Sequence, residues 1–346
     1  MPRYARRLQQ IGSSILISLP SEWIKSNNLK KGSIVPVDVN RDNTLSIFPS
    51  ESEAERTKEV TIQYLPGSPM ESLVNQVYGA YLLGYDLIRV KATNTSISYE
   101  DAERFKRAMR KLVGLEIVEE DRKIITSQFL LDPNTLGAER ILRRLNSIVA
   151  GMFRETMDAI RAKENTVRRS VDARDDEVDR QYFLLVRLIR SAMMDQKLAG
   201  KLNLSNIDIL DYRIAANLLE SAGDYIVDLA SSVQDFSHID FVDRFAQAGE
   251  LVERMQEKAV AAFATKNRSE SLTVLGMYGD FGKVMDAVKE LSAADRRKNP
   301  ESTIAVLNLA YAMDRIAKCW VDVADLVKPV HLVAPFFNSN SKNAPG

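Results

Sequence analysis

Residues Asn217 to Ala230 read NLLESAGDYIVDLA. They lie inside a long segment without proline and with strong helical periodicity. Glu220, Asp224 and Asp228 recur every four residues, so they fall along one line of a helix. Like charges at that spacing repel and weaken an isolated helix. Their neighbours Ala216, Gly223 and Val227 are small or apolar, whereas a solvated acidic face is usually interleaved with Lys and Arg. The pattern predicts carboxylates turned into a close helix–helix contact. There they need a compensating charge, because an unpaired buried carboxylate is costly.

A second acidic set precedes it. Asp172, Asp175, Asp176 and Asp179 share one side of a helix. The apolar stripe of that helix, Val178, Tyr182, Leu185, Ile189 and Ala192, extends backwards through Asp175 and Val171. These carboxylates therefore border the inward face. The plainer reading is an acidic surface paired with Arg168, Arg169, Arg174 and Arg180.

Around these two helices the chain from Pro133 to Pro329 reads as helix, with only Pro300 between. Six helices are expected, at about 135–165, 168–199, 206–234, 238–266, 269–295 and 300–327. Short connections favour antiparallel neighbours and hence bundles. The six look like three plus three. Met152, Ala159 and Lys163 overlie Met255, Ala262 and Lys266, while Glu220 and Asp228 overlie Asp314 and Asp322. Asp224 overlies Lys318, so the second repeat exchanges a carboxylate for an ammonium, and an ion pair from Lys318 to Asp314 or Asp322 is expected there. Gly276, Gly279 and Gly282 follow no strand, so close helix packing explains them better than a nucleotide loop. Tyr182, Tyr225, Tyr278 and Tyr311, and Met152, Met157, Met193, Met194, Met255, Met277, Met285 and Met313, read as bundle core.

Residues 59–131 read strand, helix, strand, helix, strand, strand, a small α+β domain with no catalytic spacing. Residues 50–58 are polar and read as a linker; 331–346 read as a tail. Residues 1–50 read as a small β-rich unit. Its pieces are Leu8–Ile11, a turn at Gly12-Ser13-Ser14, an alternating strand to Leu19, a helix at Ser21–Asn28, and strands at Ile34–Val39 and Leu45–Phe48 joined by Asn40–Asn43. Pro36 argues for an edge or bulge. So small a unit is expected to need a partner chain.

Formal net charge is zero, so the whole chain is not a generic polyanion binder, but residues 1–50 carry an excess of four cations. The single cysteine, Cys319, excludes an intrachain disulfide and a multi-cysteine zinc site, and fits a reducing cytoplasm. Two distant histidines, His238 and His331, argue against a histidine-centred catalytic site. No apolar run is long enough to span a membrane, and the basic N-terminus has no apolar core of a signal peptide.

Two resemblances follow. Ile11-Gly12-Ser13-Ser14-Ile15-Leu16-Ile17-Ser18-Leu19-Pro20, then Trp23-Ile24, Leu29-Lys30-Lys31-Gly32-Ser33, and Val35, Val37 and Val39, resemble the AbrB/MazE/SpoVT swapped-hairpin family. That implies an intertwined dimer placing basic residues on DNA; the candidates are Arg3, Arg6, Arg7, Lys25, Lys30 and Lys31. They would neutralise phosphates, with any base reading by arginine. The plainer reading is a solvated basic surface on a dimerisation module.

Asp175-Asp176-Glu177-Val178-Asp179 and Leu219-Glu220-Ser221-Ala222-Gly223-Asp224, in that order on six helices, resemble the PhoU family of phosphate-uptake regulators. That resemblance implies two three-helix bundles whose carboxylate patches hold divalent or ferric ions. Oxygen-only donors suit hard ions such as Mg2+, Mn2+ or Fe3+, with Zn2+ also in view. The candidate ligands are Asp175, Asp179, Glu220 and Asp224, with Asp176 and Asp228 behind them. At most one cluster per chain is expected, because the second repeat departs from the pattern.

The fold class expected is thus multidomain and mainly α: a swapped-hairpin unit (1–50), an α+β domain (59–131) and a pair of three-helix bundles (135–330). The function expected is a cytoplasmic, non-enzymatic, DNA-binding transcriptional regulator of phosphate uptake with a metal-binding sensory or docking body. Its expected partners are promoter DNA, a second copy of itself through the head, and a phosphate-transporter ATPase or a signalling protein. The alternative is an adaptor that only dimerises through the head. A di-iron enzyme would need Glu-x-x-His pairs, which the acidic helices lack.

Overall fold

The computed structural model describes residues 4–39, 44–49, 57–93, 95–162, 164, 166–232, 242–295 and 300–327. The chain falls into two units, Met1–Lys58 and Glu59–Gly346.

In the first unit β1 (Gln9–Ile11) turns into β2 (Ser14–Leu16), antiparallel with Gln9 opposite Leu16. Gly12 makes the turn with φ +61°, a conformation that L side chains rarely adopt. β2 stops at Leu16, short of the expected Leu19, where β1 offers no further partner. α1 (Ser21–Ser26) follows Pro20, whose φ of −62° suits a helix entry. β3 (Val37–Val39) pairs antiparallel with β4 (Leu45–Ile47). The strand expected from Ile34 begins only after Pro36, which has no N–H for a ladder and whose carbonyl accepts from the Phe48 N–H at 3.0 Å. The turn Asn40–Asn43 and residues 50–56 of the linker lie outside the described residues. No described residue of this unit is buried. Ile11, Ile15, Ile34 and Val39 are 65%, 69%, 86% and 77% exposed, apolar side chains that the unit itself does not cover.

The second unit opens with β5 (Glu59–Tyr64), α2 (Met70–Leu82), β6 (Leu87–Ala92), α3 (Tyr99–Met109), β7 (Leu115–Glu120) and β8 (Ile124–Phe129), in the expected order. The sheet order is β5-β6-β8-β7, with β5 and β6 parallel and the other pairs antiparallel. Alternate strand residues Ile62, Tyr64, Ile88, Val90, Ile125 and Phe129 are buried in one core with Val77, Tyr81, Phe105 and Met109 of the helices. Ser98 caps α3, accepting from the Asp101 N–H at 3.1 Å.

The helical body is α4 (Ala138–Ala162), α5 (Val167–Met194), α6 (Gln196–Lys201), α7 (Asn206–Ser231), α8 (Val242–Thr265), α9 (Arg268–Asp295) and α10 (Pro300–Asp325). The helix expected to run to 199 breaks at Asp195, which adopts an extended conformation (φ −128°, ψ 105°). Its carboxylate accepts from the Lys197 and Leu198 N–H groups at 2.8 and 3.3 Å and starts the extra short helix α6. Met193 and Met194, read as core, are therefore 73% and 76% exposed at the end of α5. Helices α4, α5 and α7 form one bundle, and α8, α9 and α10 the other. The repeat is visible in packing: Met152 and Met255 are fully buried, and each bundle joins the other through equivalent helices, α4 to α8 and α7 to α10. A polar groove of about 610 Å³ runs between α4 and α8, lined by Arg154, Glu250, Glu253 and Arg254 among others.

Two expectations for the second bundle fail. Tyr311 is 64% exposed, its ring 5.5 Å from the Arg315 guanidinium, whereas Tyr278, like Tyr182 and Tyr225 of the first bundle, is partly buried and packs against the core. A Cβ at Gly276, Gly279 or Gly282 would meet nothing within 4 Å, so these glycines do not serve close packing among the described residues.

Candidate functional site: a carboxylate face between two helices

α7 starts at a capping box. The Ser205 hydroxyl accepts from the Asp208 N–H, and the Asp208 carboxylate accepts from the Ser205 N–H. Asp208 also pairs with Lys266 at 3.0 Å, and these bonds hold its carboxyl down at about 2 against the opposing effect of burial. Counted from that start, Leu219, Ala222, Ile226 and Leu229 are fully buried, and Glu220 and Asp224 border this apolar face. Gly223 lets α5 come close: a Cβ there would meet Val178 Cγ1 at 3.3 Å and Asp175 Oδ1 at 3.4 Å.

This approach sets Asp175 and Asp179 of α5 against Glu220 and Asp224 of α7. Asp175, Asp179 and Glu220 are half-buried, and Asp224 is exposed. Burial, then the charges of Asp224 and Asp179, push Glu220 up to about 7. Burial, then Asp179 and Asp224, push Asp175 up to about 6. Asp224 is raised first by desolvation and then by Asp179 and Asp228. Asp179 is raised by burial, with Lys111 opposing. The charge of Asp179 raises each of the other three, which places the four in one electrostatic patch.

The remaining candidates lie around this group. Asp176 is exposed and faces away from α7, toward Lys111, whose Nζ stands 2.7 Å from Asp176 Oδ1 and 3.6 Å from Asp179 Oδ2. Asp228 is exposed, one turn beyond Asp224, and faces the Arg315 side of α10. The arginines on α5 do not neutralise the cluster. Arg168 pairs with Asp172 at 3.7 Å, Arg174 with Glu155 at 3.0 Å, and Arg180 with Glu177 at 3.0 Å while donating to the Arg110 carbonyl. In the second bundle Lys318 pairs with Asp322 at 3.3 Å, and Tyr278 donates to Asp314 at 3.1 Å. The equivalent place there neutralises itself.

The donor chemistry of the first face suits a hard cation: oxygen atoms from two helices, partly desolvated and mutually repelling. Their spacing as found does not close around one. Among the described residues no group of three or more His, Cys, Asp and Glu is placed to hold a metal ion.

Sequence reading missed Lys111 and Arg187. Lys111, just beyond α3, carries no local signal. Arg187 does: it interrupts the apolar run Phe183-Leu184-Leu185-Val186 and Leu188-Ile189. It is buried and donates to the Tyr81 and Tyr85 carbonyls at 2.7 and 2.8 Å and to Asp86 at 2.9 Å, tying the sheet to α5.

In the N-terminal unit Arg6, Arg7, Lys25, Lys30 and Lys31 are all exposed; Arg3 lies outside the described residues. Arg6 lies over the Tyr4 ring at 5.5 Å, and Tyr4 donates to Glu22.

These features define a multidomain, mainly helical protein with a small strand-built head and a body whose first bundle carries a carboxylate face. Residues 142–233, which hold both acidic helices, match the PhoU domain, and residues 8–55 match the domain described as antidote-toxin recognition MazE, bacterial antitoxin. The chain thus carries a PhoU domain in its helical body and a MazE/AbrB-like domain at its N-terminus. Among solved structures it is similar to PhoU from Pseudomonas aeruginosa, at 14% identity and a TM-score of 0.48, over 55% of this chain and 93% of that one. It is also similar to the phosphate transport system regulatory protein PhoU from Streptococcus pneumoniae, at 13% identity and a TM-score of 0.48, over 55% of this chain and 91% of that one. No curated protein matches the chain. Among the described residues no helix is long and apolar enough to cross a membrane.

Proposed function

We propose that this chain is a cytoplasmic, DNA-binding transcriptional regulator of phosphate uptake, with the helical body as its sensory or docking part. The observation that supports this reading is the joining in one chain of a MazE-like domain at 8–55 to a PhoU domain at 142–233. Arg3, Arg6, Arg7, Lys25, Lys30 and Lys31 of two paired heads would neutralise phosphates of promoter DNA. The body would receive the phosphate signal from a transporter ATPase or a signalling protein and alter the setting of the heads. Such coupling requires a ligand that binds two states unequally.

In the body Asp175, Asp179, Glu220 and Asp224 would hold a divalent or ferric ion (Mg, Mn, Fe or Zn), with Asp176 and Asp228 flanking. When bound, the ion supplies positive charge that relieves the repulsion between α5 and α7.

The test is fluorescence anisotropy on promoter DNA of a phosphate-uptake operon over a range of salt. Each phosphate contact adds about 0.9 to the logarithmic salt slope, and a pair of heads loses four arginines, so Arg6→Ala with Arg7→Ala is expected to lower it by about 3.6. Binding without salt dependence, or none at all, would leave the second reading. In that reading the head only pairs two copies of an adaptor that docks on a transporter or kinase. The exposed apolar residues of the head are the surface that such pairing would cover.

A further inference from the structure

The four-stranded sheet has two edges, β5 and β7, and they are built differently. β7 is guarded. It carries Glu116, Glu119 and Glu120, and a bulge between Ile117 and Glu119 interrupts its ladder with β8. Charge and bulges are the usual means by which an edge avoids further pairing. β5 has no such guard. Glu59-Val60-Thr61-Ile62-Gln63-Tyr64 holds three β-branched residues in a row and no proline, glycine or lysine. Its single charge, Glu59, is spent on Arg89 of β6 at 2.6 Å. Its register with β6 is unbroken over all six residues.

A strand offers N–H and C=O groups on two sides, and one neighbour uses only one of them. β6 takes one side of β5. Among the described residues no turn, cap or loop backbone group bonds to residues 59–64 on the other. The side chains do not cover that edge: Ile62 and Tyr64 point into the core, while Thr61 and Gln63 are exposed on the open face of the sheet.

We infer that the free edge of β5 pairs antiparallel with β5 of a second copy of this chain, joining two four-stranded sheets into one of eight. The strand is complementary to itself. With a two-fold axis through Ile62, Ile62 meets its own copy, Val60 meets Tyr64 of the other copy, and Thr61 meets Gln63. Apolar residues then face apolar ones on the core side and polar face polar on the open side, with no like charges opposed. Val60, the core-side residue of β5 that one chain leaves only partly buried, gains the Tyr64 ring of the other copy. The chain also delivers the strand: only residues 48–58 lie between β4 of the head and β5. Pairing of two heads, where it occurs, makes the meeting of two β5 strands intramolecular. The edge itself needs neither DNA nor metal, so the inference goes beyond the reading above and survives its failure. Pairing would fix the separation of the two Glu59 positions at which the linkers to the heads end.

The experiment uses the full chain. Thr61→Cys is treated with a short bismaleimide beside Glu116→Cys on the guarded edge; wild type, whose cysteine Cys319 is buried, is the blank. The two Thr61 positions of such a pair are diagonal neighbours about 7–8 Å apart, within reach of the reagent. Thr61→Cys is expected to give severalfold more covalent dimer than Glu116→Cys. In wild type, hydrogen exchange read residue by residue compares the two edges. The β5 amides not bonded to β6 are expected to exchange at least about tenfold more slowly than the outward amides of β7. Equal dimer yields from the two cysteines, or outward β5 amides as fast as those of β7, overturn the pairing. Slow β5 amides without a Thr61 cross-link overturn it too, since another segment of the same chain then covers the edge.

Discussion

The Arg187 guanidinium lies 3.8 Å from the centroid of the Phe129 ring, inside the junction between the last strand of the sheet and α5. It also lies over Tyr81 at 5.0 Å and bonds to Asp86 and two carbonyls. Desolvation lowers its pKa, and the neighbouring Asp86 charge opposes that loss. A buried charge with several bonded donors is hard to replace.

Arg187→Met is therefore expected to destabilise the second unit by about 3 kcal/mol, because it removes three hydrogen bonds, one of them to a carboxylate, from the junction. Arg187→Lys is expected to recover less than half, since one ammonium cannot match the planar fork and stacking. Urea unfolding followed by circular dichroism checks both, and a loss under about 1 kcal/mol in Arg187→Met would show that these bonds do not hold the junction together.

The glycines of α7 and α9 give a contrast. Gly279→Ala should stabilise by about 0.5–1 kcal/mol, since the added Cβ meets nothing within 4 Å and glycine is costly inside a helix. Gly223→Ala gains the same propensity but presses on Val178 Cγ1 at 3.3 Å and Asp175 Oδ1 at 3.4 Å, so it should stabilise less than Gly279→Ala or destabilise. Thermal melts of the two variants side by side decide this.

Stability should fall as pH rises across the carboxylate face. Glu220 is near 7 when folded against about 4.3 unfolded, so between these values the folded state holds more protons. The contribution is fully present below about pH 4, is lost as pH climbs through 7, and then stays flat. Asp208, depressed to about 2, acts with the opposite sign: its stabilisation is present above about pH 4 and lost as pH falls toward 2. In chelator, Glu220→Gln should exceed wild type by about 1–2 kcal/mol at pH 8, a figure reduced for partial exposure, and match it near pH 4. Equal stability of the two at pH 8 would show that the face is relieved in some other way.

In the head, Ile15 is 69% exposed on β2. On a monomeric surface Ile15→Asp would be nearly silent, within about 0.5 kcal/mol. If two heads pair through these apolar residues, the variant should turn a dimer into a monomer in analytical ultracentrifugation of the full chain. An unchanged sedimentation coefficient would place the pairing elsewhere or nowhere.

Much of this architecture was legible in the sequence, because its signals are local. Alternation in 59–64 and 87–92, the Ser98 cap with Asp101, and acids four residues apart on α5 and α7 all express the geometry of one element. The exchange of Asp224 for Lys318 between repeats foretold the ion pair with Asp322. The helix expected at 168–199 breaks at Asp195 because the capping bonds of that carboxylate compete with an otherwise continuous helical pattern, which leaves Met193 and Met194 exposed.

What the chain order by itself determined is therefore the inventory: a β-rich head, a small α+β domain, two sets of three helices, and which helix faces carry acid. Tertiary packing alone decided that Asp176 turns to Lys111 and that Arg187 reaches Tyr81 across 106 residues. The reason is range. Periodicity fixes which side of a helix a residue occupies, while its counter-charge comes from whichever distant element the core brings against that side.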